Sequence, residues 1–200
     1  MEWQGREFTV PLRIPGLYNF YNVAAATTVA LRSGMGLDAT GEALRSFRPA
    51  FGRMEQVSIE GATVRIALVK NPVGFNQVLQ AVSEDDSRNK VGVVLINDQY
   101  ADGRDVSWLW DVDFEGWVAQ MNVTAWWVGG VRAHDMAVRL KYAGVDSELI
   151  HVVEKPEIAF NQAREQYPTA DLYVMPTYTA LLQIRNYLTQ VGHVKHFREG

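Results

Sequence analysis

Val93-Val94-Leu95-Ile96-Asn97-Asp98-Gln99-Tyr100-Ala101-Asp102-Gly103-Arg104-Asp105-Val106-Ser107-Trp108-Leu109-Trp110-Asp111-Val112-Asp113-Phe114-Glu115 starts as an unbroken apolar run that ends at Asn97. The eighteen residues from Asp98 then hold five aspartates, one glutamate, one arginine and two tryptophans. A short apolar run closed by polar turn residues is the pattern of a strand buried on both faces. In an alternating α/β chain, the residues just past a strand's carboxyl end lie where ligands bind. Asp, Asn and Gly also build ordinary surface turns, and large aromatics also plug core edges. The mixture favours a working loop, because rings and many carboxylates are costly to accommodate together on a plain turn.

Outward from this stretch the pattern repeats. Downstream it predicts a strand over 123–128, a helix over 133–143, a strand over 148–153, a helix over 156–166, a strand over 170–175 and a helix over 177–190. Upstream, Met54 to Ile59 and Thr63 to Leu68 alternate with period two around Glu60-Gly61, a hairpin signal. Val69 to Asn76 then opens a helix through Val82. Strands alternating with helices imply right-handed crossovers. The expected fold is α/β and Rossmann-like: a mainly parallel sheet with helices on both faces, preceded by the hairpin and a helical amino-terminal segment.

That first segment reads as a short strand Phe8 to Leu12, a turn at Ile14-Pro15-Gly16, a helix from Leu17 to Leu31 stopped by Gly34, and a second helix from Asp38 to Ser46. Pro49 and Gly52 mark a connector, which puts the expected boundary between residues 1–50 and 51–200. Asn19 and Asn22 lie three apart near the helix start, where capping is the plain reading. Gly129-Gly130-Val131-Arg132 and Met175-Pro176-Thr177-Tyr178-Thr179 follow predicted strands, so they should share a rim with the acidic loop. Thr177 is expected to cap the last helix.

The 48% hydrophobic content over 200 residues can bury a sizeable core. With 19 basic and 23 acidic residues, the balance argues against nucleic-acid binding. No eighteen-residue apolar run, signal segment or low-complexity tract is present, which reads as a soluble, cytoplasmic chain without a transmembrane segment. Cysteine is absent, so disulfides, a zinc ribbon within this sequence and a cysteine nucleophile are ruled out. His134, His151, His193 and His196 show no metal-ligand spacing, and no dedicated transition-metal site is expected.

From the residues alone, the loop aspartates offer three jobs. They could hold Mg²⁺, act as a general base, or orient a histidine by accepting its ring N–H. Their spacing does not choose between these. The strand-turn-helix at Lys70-Asn71-Pro72 presents backbone N–H groups to an anion, although no GxxxxGK[ST] phosphate loop exists.

Leu17-Tyr18-Asn19-Phe20-Tyr21-Asn22-Val23-Ala24-Ala25-Ala26 resembles the asparagine-bearing helix of Mur ligases, and Phe51-Gly52-Arg53-Met54-Glu55 resembles the start of their carboxyl-terminal domain. Leu68-Val69-Lys70-Asn71-Pro72-Val73-Gly74-Phe75-Asn76, the long acidic stretch and Arg139-Leu140-Lys141-Tyr142-Ala143-Gly144 are together similar to the MurT family, the Mur-ligase-like subunits of bacterial lipid II isoglutaminyl synthase. The resemblance covers roughly residues 10 to 190. It implies an ATP- and Mg²⁺-dependent amidation of the D-glutamate α-carboxylate of lipid II to D-isoglutamine, with ammonia supplied by a GatD-type glutaminase that carries its own cysteine and histidine. It also implies an aspartate that completes the partner's triad, carried over to Asp105 first, then Asp102 and Asp111. Nucleotide contacts carry over to Asn19 and Asn22 near the adenine and to Arg53 near the phosphates or ribose. The family's ribose aspartate aligns with Ala67, so Lys70 or Asn71 takes its place in the expectation. The family's four-cysteine zinc ribbon is missing, and residues 1–50 resemble the end of a central ligase domain. The sequence is therefore expected to be a carboxyl-terminal part that does not use ATP alone. Without the resemblance, a non-catalytic Rossmann-like binding or scaffolding module fits the same residues, as does, more weakly, a Mg²⁺-dependent hydrolase built on the aspartates.

Overall fold

The computed structural model describes residues 1–10, 17–47 and 52–194. The expected turn at Ile14-Pro15-Gly16, most of the connector before Gly52, and His196 lie outside them. The chain forms two compact units, Met1–Phe51 and Gly52–Gly200.

In the first unit, β1 (Glu2–Trp3) and β2 (Arg6–Glu7) pair antiparallel around Gln4-Gly5. Helices α1 (Leu17–Arg32) and α2 (Leu37–Ser46) pack on each other. Phe8 to Val10 are not strand, contrary to expectation, and Pro11 and Leu12 lie outside the described residues. The pairing instead uses the tight turn just before them, where Gln4 and Gly5 both have positive φ. Helix α1 ends where Gly34 turns left-handed at φ +90°, and Met35 N–H closes back onto the Ala30 carbonyl at 3.0 Å.

The second unit is built on a six-stranded sheet. Its elements are β3 (Arg53–Ile59), β4 (Ala62–Ala67), α3 (Pro72–Ser83), β5 (Lys90–Leu95), a 3₁₀ turn (Ser107–Asp111), α4 (Phe114–Met121), β6 (Val123–Gly129), α5 (Ala133–Tyr142), β7 (Ile150–Val152), α6 (Pro156–Gln166), β8 (Asp171–Pro176) and α7 (Tyr178–Gln190). The strand order is β3-β4-β8-β5-β6-β7. The last five of these are mutually parallel, and β3 is an antiparallel edge. The α/β, Rossmann-like expectation holds, with the hairpin built into the sheet rather than standing before it.

Alternation sorts the strand residues between two cores. On one face Val94, Ile96, Trp126, Val128, Tyr173 and Met175 meet Phe75, Leu79, Phe114, Met136 and Leu140 from α3, α4 and α5. On the other, α6 and α7 pack together over the sheet, burying Phe160, Ala163, Leu181 and Ile184. Removing one such ring, as in Phe160→Ala, costs about 3–5 kcal/mol in a close-packed core.

The parallel strands send all their carboxyl ends to one rim. Residues 68–71, 96–106, 130–132, 153–155 and 177–179 leave the sheet there. Arg53, which starts β3 opposite Ala67, joins the same edge because β3 runs the other way.

Candidate functional site

The root of the acidic loop is Asn97, which is buried. Its N–H donates to the Thr177 hydroxyl at 2.9 Å, and its amide NH₂ donates to Thr179 Oγ1 at 2.9 Å and Gln183 Oε1 at 3.2 Å. Its side-chain oxygen accepts the Val131 N–H at 3.0 Å. One side chain therefore ties together the segments leaving β5, β6 and β8. Gly130 permits this approach: its φ is +89°, and an added Cβ would collide with the Ile96 carbonyl. Thr177 does not cap α7 with its side chain, contrary to expectation. Its hydroxyl is the acceptor for the buried Asn97 N–H, which has a stronger claim than a helix end open to water.

The acidic residues of the loop are divided among different tasks. Asp98 accepts from Arg132 Nε at 3.0 Å. Asp102 accepts the Thr179 N–H at 2.8 Å and the Thr179 hydroxyl at 2.6 Å, and also the Gln99 N–H at 3.1 Å. Asp105 closes a local turn on the Ser107 N–H at 2.8 Å and is exposed. That N–H and the Ser107 hydroxyl hold its carboxyl below the usual value, so it stays ionised. Asp111 is exposed at the end of the 3₁₀ turn, and Asp113 caps α4 through the Gly116 N–H at 3.0 Å. Glu115 pairs with Arg139. Among the described residues, no three of these carboxylates or histidines gather as a metal-holding group.

Arg139 of α5 fastens the far end of the loop. It is 2% exposed, and donates to the Leu109 carbonyl at 3.0 Å, the Val112 carbonyl at 2.6 Å and both Glu115 oxygens at 2.8 and 2.7 Å. The two tryptophans part ways around it. Trp108 is half-buried against Phe75, with ring centroids 6.3 Å apart. Trp110 is 53% exposed, lies 5.3 Å from the Arg139 guanidinium and meets the edge of the exposed Tyr142.

Arg53, Lys70 and Asn71 lie at the β3–β4 end of the rim, and all three are exposed. Asn71 caps α3, its side-chain oxygen accepting the Gly74 N–H at 2.8 Å. An anion there would compete with that cap, so Lys70 and Arg53 are the better partners for a phosphate. Asn19 and Asn22 belong to the first unit. Both sit inside α1 rather than at its cap, Asn19 buried and Asn22 exposed. Beside Asn97, an open depression of about 510 Å³ is lined by Gly130, Val131, Lys155 and Gln183 among others.

Residues 68–181 match the family described as MurT ligase C-terminal. Over 184 residues the chain is 34% identical to the lipid II isoglutaminyl synthase (glutamine-hydrolyzing) subunit MurT of Streptococcus pneumoniae (strain ATCC BAA-255 / R6), covering 92% of this chain and 40% of that protein. The chain belongs to the MurT ligase carboxyl-terminal family. The MurT subunit of Staphylococcus aureus (strain COL) is 33% identical over 170 residues, 85% of this chain and 38% of that one. The chain thus spans about two fifths of these curated relatives. Among solved structures, a pseudomurein peptide ligase type C from Methanothermus fervidus superposes with a TM-score of 0.69 at 16% identity, over 94% of this chain and 39% of that one. This last likeness speaks to the fold.

Asn97, Thr179 and Arg139 were not among the candidate site residues. Arg139 stands within the MurT-like motif, and a basic residue in an otherwise amphipathic helix was the available signal. The shared rim was expected of Asn97 and Thr179, but their direct partnership had no signal.

Proposed function

We propose that this sequence is the carboxyl-terminal part of an ATP-dependent amidotransferase ligase that amidates the D-glutamate α-carboxylate of lipid II to D-isoglutamine. In this reading it docks a GatD-type glutaminase, works in the cytoplasm on a membrane-bound precursor, and is inactive alone. Similarity to MurT subunits over 92% of the chain supports the family's chemistry. That no helix of the described residues is long and apolar enough to cross a membrane is compatible with it.

The observation that carries the reading is the state of Asp105. It is an exposed, ionised carboxylate on a loop whose other acids, apart from Asp111, are engaged elsewhere. Such a group is suited to accept the ring N–H of a partner's histidine, fixing its tautomer and stabilising its charged form. The partner supplies the cysteine this chain lacks. Asp111 is the second candidate, and Asp102 is already occupied. ATP supplies the leaving group that makes the carboxylate reactive toward ammonia. Toward it the second unit contributes Arg53 and Lys70 as phosphate or ribose partners, with Asn71 beside them. Asn19 and Asn22, in the first unit, are adenine partners on the family resemblance alone.

The test is calorimetric titration of this chain with a GatD-type glutaminase, following glutamine hydrolysis in the same mixture. Binding that raises turnover, and loses the rise with Asp105→Asn, is the expected result. No binding leaves a non-catalytic binding module as the surviving account, and full turnover with Asp105→Asn moves the role to Asp111.

A further inference from the structure

We propose that Asp102 is a positioning residue: by bonding Thr179 at the start of α7 it sets where Asp105 stands against the partner's histidine. The inference rests on the reading above and adds what that reading leaves open, namely how an exposed side chain on a loop is held still enough to act. Among the described residues Asp105 bonds within its own turn alone, and no other part of the fold holds it directly. Its place is inherited from the nearest points on either side where the loop is fastened.

The far fastening is Arg139 on the Leu109 and Val112 carbonyls. The near one is Asp102, separated from Asp105 only by Gly103 and Arg104, so at about 3.3–3.6 Å per residue Asp105 can stand no more than about 11 Å from it. Asp102 takes three donors: the Thr179 N–H, the Thr179 hydroxyl and the Gln99 N–H. A carboxylate offers about four lone-pair sites, so little remains for a partner, and its role is to brace. Thr179 is itself held by Asn97, so the brace runs into the buried root of the loop. The contact also gives α7 the side-chain cap that Thr177 does not provide, from a residue 77 positions away. Loop and helix are thereby set as one piece.

A misplacement near 1 Å costs on the order of 100-fold in turnover when a reacting or orienting group must be aligned. In the complete ligase–glutaminase complex, Asp102→Ala should lower kcat for glutamine hydrolysis about 10- to 100-fold. The KM for glutamine, which only the partner touches, and the affinity between the subunits should stay unchanged. Asp102→Asn should recover part of the rate, because its side-chain oxygen still accepts the Thr179 N–H while its NH₂ loses the Gln99 N–H. Thr179→Val removes the hydroxyl half of the brace and also the acceptor for Asn97, and should give an intermediate loss; combined with Asp102→Ala, its effect should be less than additive, since the two share the Asp102–Thr179 contact.

Asp105→Asn run alongside separates the two ideas. If it abolishes turnover while Asp102→Ala is within twofold of the parent, the brace is refuted and the triad role stands. If Asp105→Asn has no effect, the triad role leaves Asp105 for Asp111 and this inference, which concerns the placing of Asp105, is overturned. If Asp102→Ala weakens subunit binding and melting temperature in step with turnover, Asp102 is structural only and the inference is overturned.

Discussion

Arg139 grips Glu115 with both terminal nitrogens, at 2.8 and 2.7 Å, while the same guanidinium holds two backbone carbonyls. One end of this pair is almost fully buried and the other is 55% exposed, which decides how each should respond to change. The buried end anchors, and the exposed end reports on pH.

Replacing Arg139 should therefore be costly. Arg139→Met fills much of the space but leaves the Leu109 and Val112 carbonyls without a donor, and about 2–4 kcal/mol of stability should be lost, the scale of buried acceptors left unpaired. Arg139→Lys keeps the charge but cannot reproduce a planar fork, and should lose about 2 kcal/mol. Urea denaturation checks both, and a methionine variant as stable as the parent would show that the clamp contributes nothing.

Glu115 should give the fold an acid-sensitive limb. Hydrogen bonding from Arg139, with smaller help from backbone and charge, holds its carboxyl below the ordinary 4.5. The folded form then binds fewer protons than the unfolded chain between the two values. The stability it adds is complete above about pH 4.5 and is lost as pH falls through the folded value. Denaturation midpoints of the parent and Glu115→Gln should differ near neutrality and converge in acid. Parallel curves would assign the acid response to other groups.

Asn97→Asp is predicted to be as harmful as Asn97→Ala. The new carboxylate keeps the acceptor for the Val131 N–H but turns an anionic oxygen toward Thr179 Oγ1 and Gln183 Oε1, where an NH₂ now donates. Either change should cost about 2–3 kcal/mol, the scale of leaving buried polar groups unpaired. A stable aspartate variant would mean that the amide hydrogens carry no weight.

Gly130→Ala should cost at least about 2 kcal/mol, since a left-handed backbone with a side chain is strained even before any collision. Here the Cβ also meets the Ile96 carbonyl and lies 2.8 Å from Asn97 Oδ1. Amide exchange should quicken at Val131, which bonds that oxygen, before it quickens elsewhere.

Much of the fold was written locally. Helix α6 begins at Pro156 and runs to Gln166, the predicted bounds, because a proline at the first position marks the start. The parallel sheet followed from the run Val91 to Ile96 and its repeats. Helix α4 was missed although Phe114, Trp117, Val118 and Met121 recur at helical spacing behind the cap Asp113, because the acidic stretch drew attention as loop. The hairpin around Gln4-Gly5 was missed because each strand has only two residues. In the site, the sequence picked out the acidic loop but not which acid does what. Asp102 and Thr179 meet only because β5 and β8 lie side by side, and strand order is a long-range property that no local pattern carries.

That same placement bears on how the molecule comes into being. Strand β8 is the last of the sheet to be synthesised, yet it lies between β4 and β5. Until residues 171–176 are synthesised, β4 and β5 lack the strand that fills the lane between them in the finished sheet, and each would have one unpaired edge. Such edges invite pairing with other chains, and distant pairings are slow to form. Synthesis that pauses before residue 171 would leave a nascent chain open to aggregation and to chaperone capture, and arrival of β8 would close the lane in a single step.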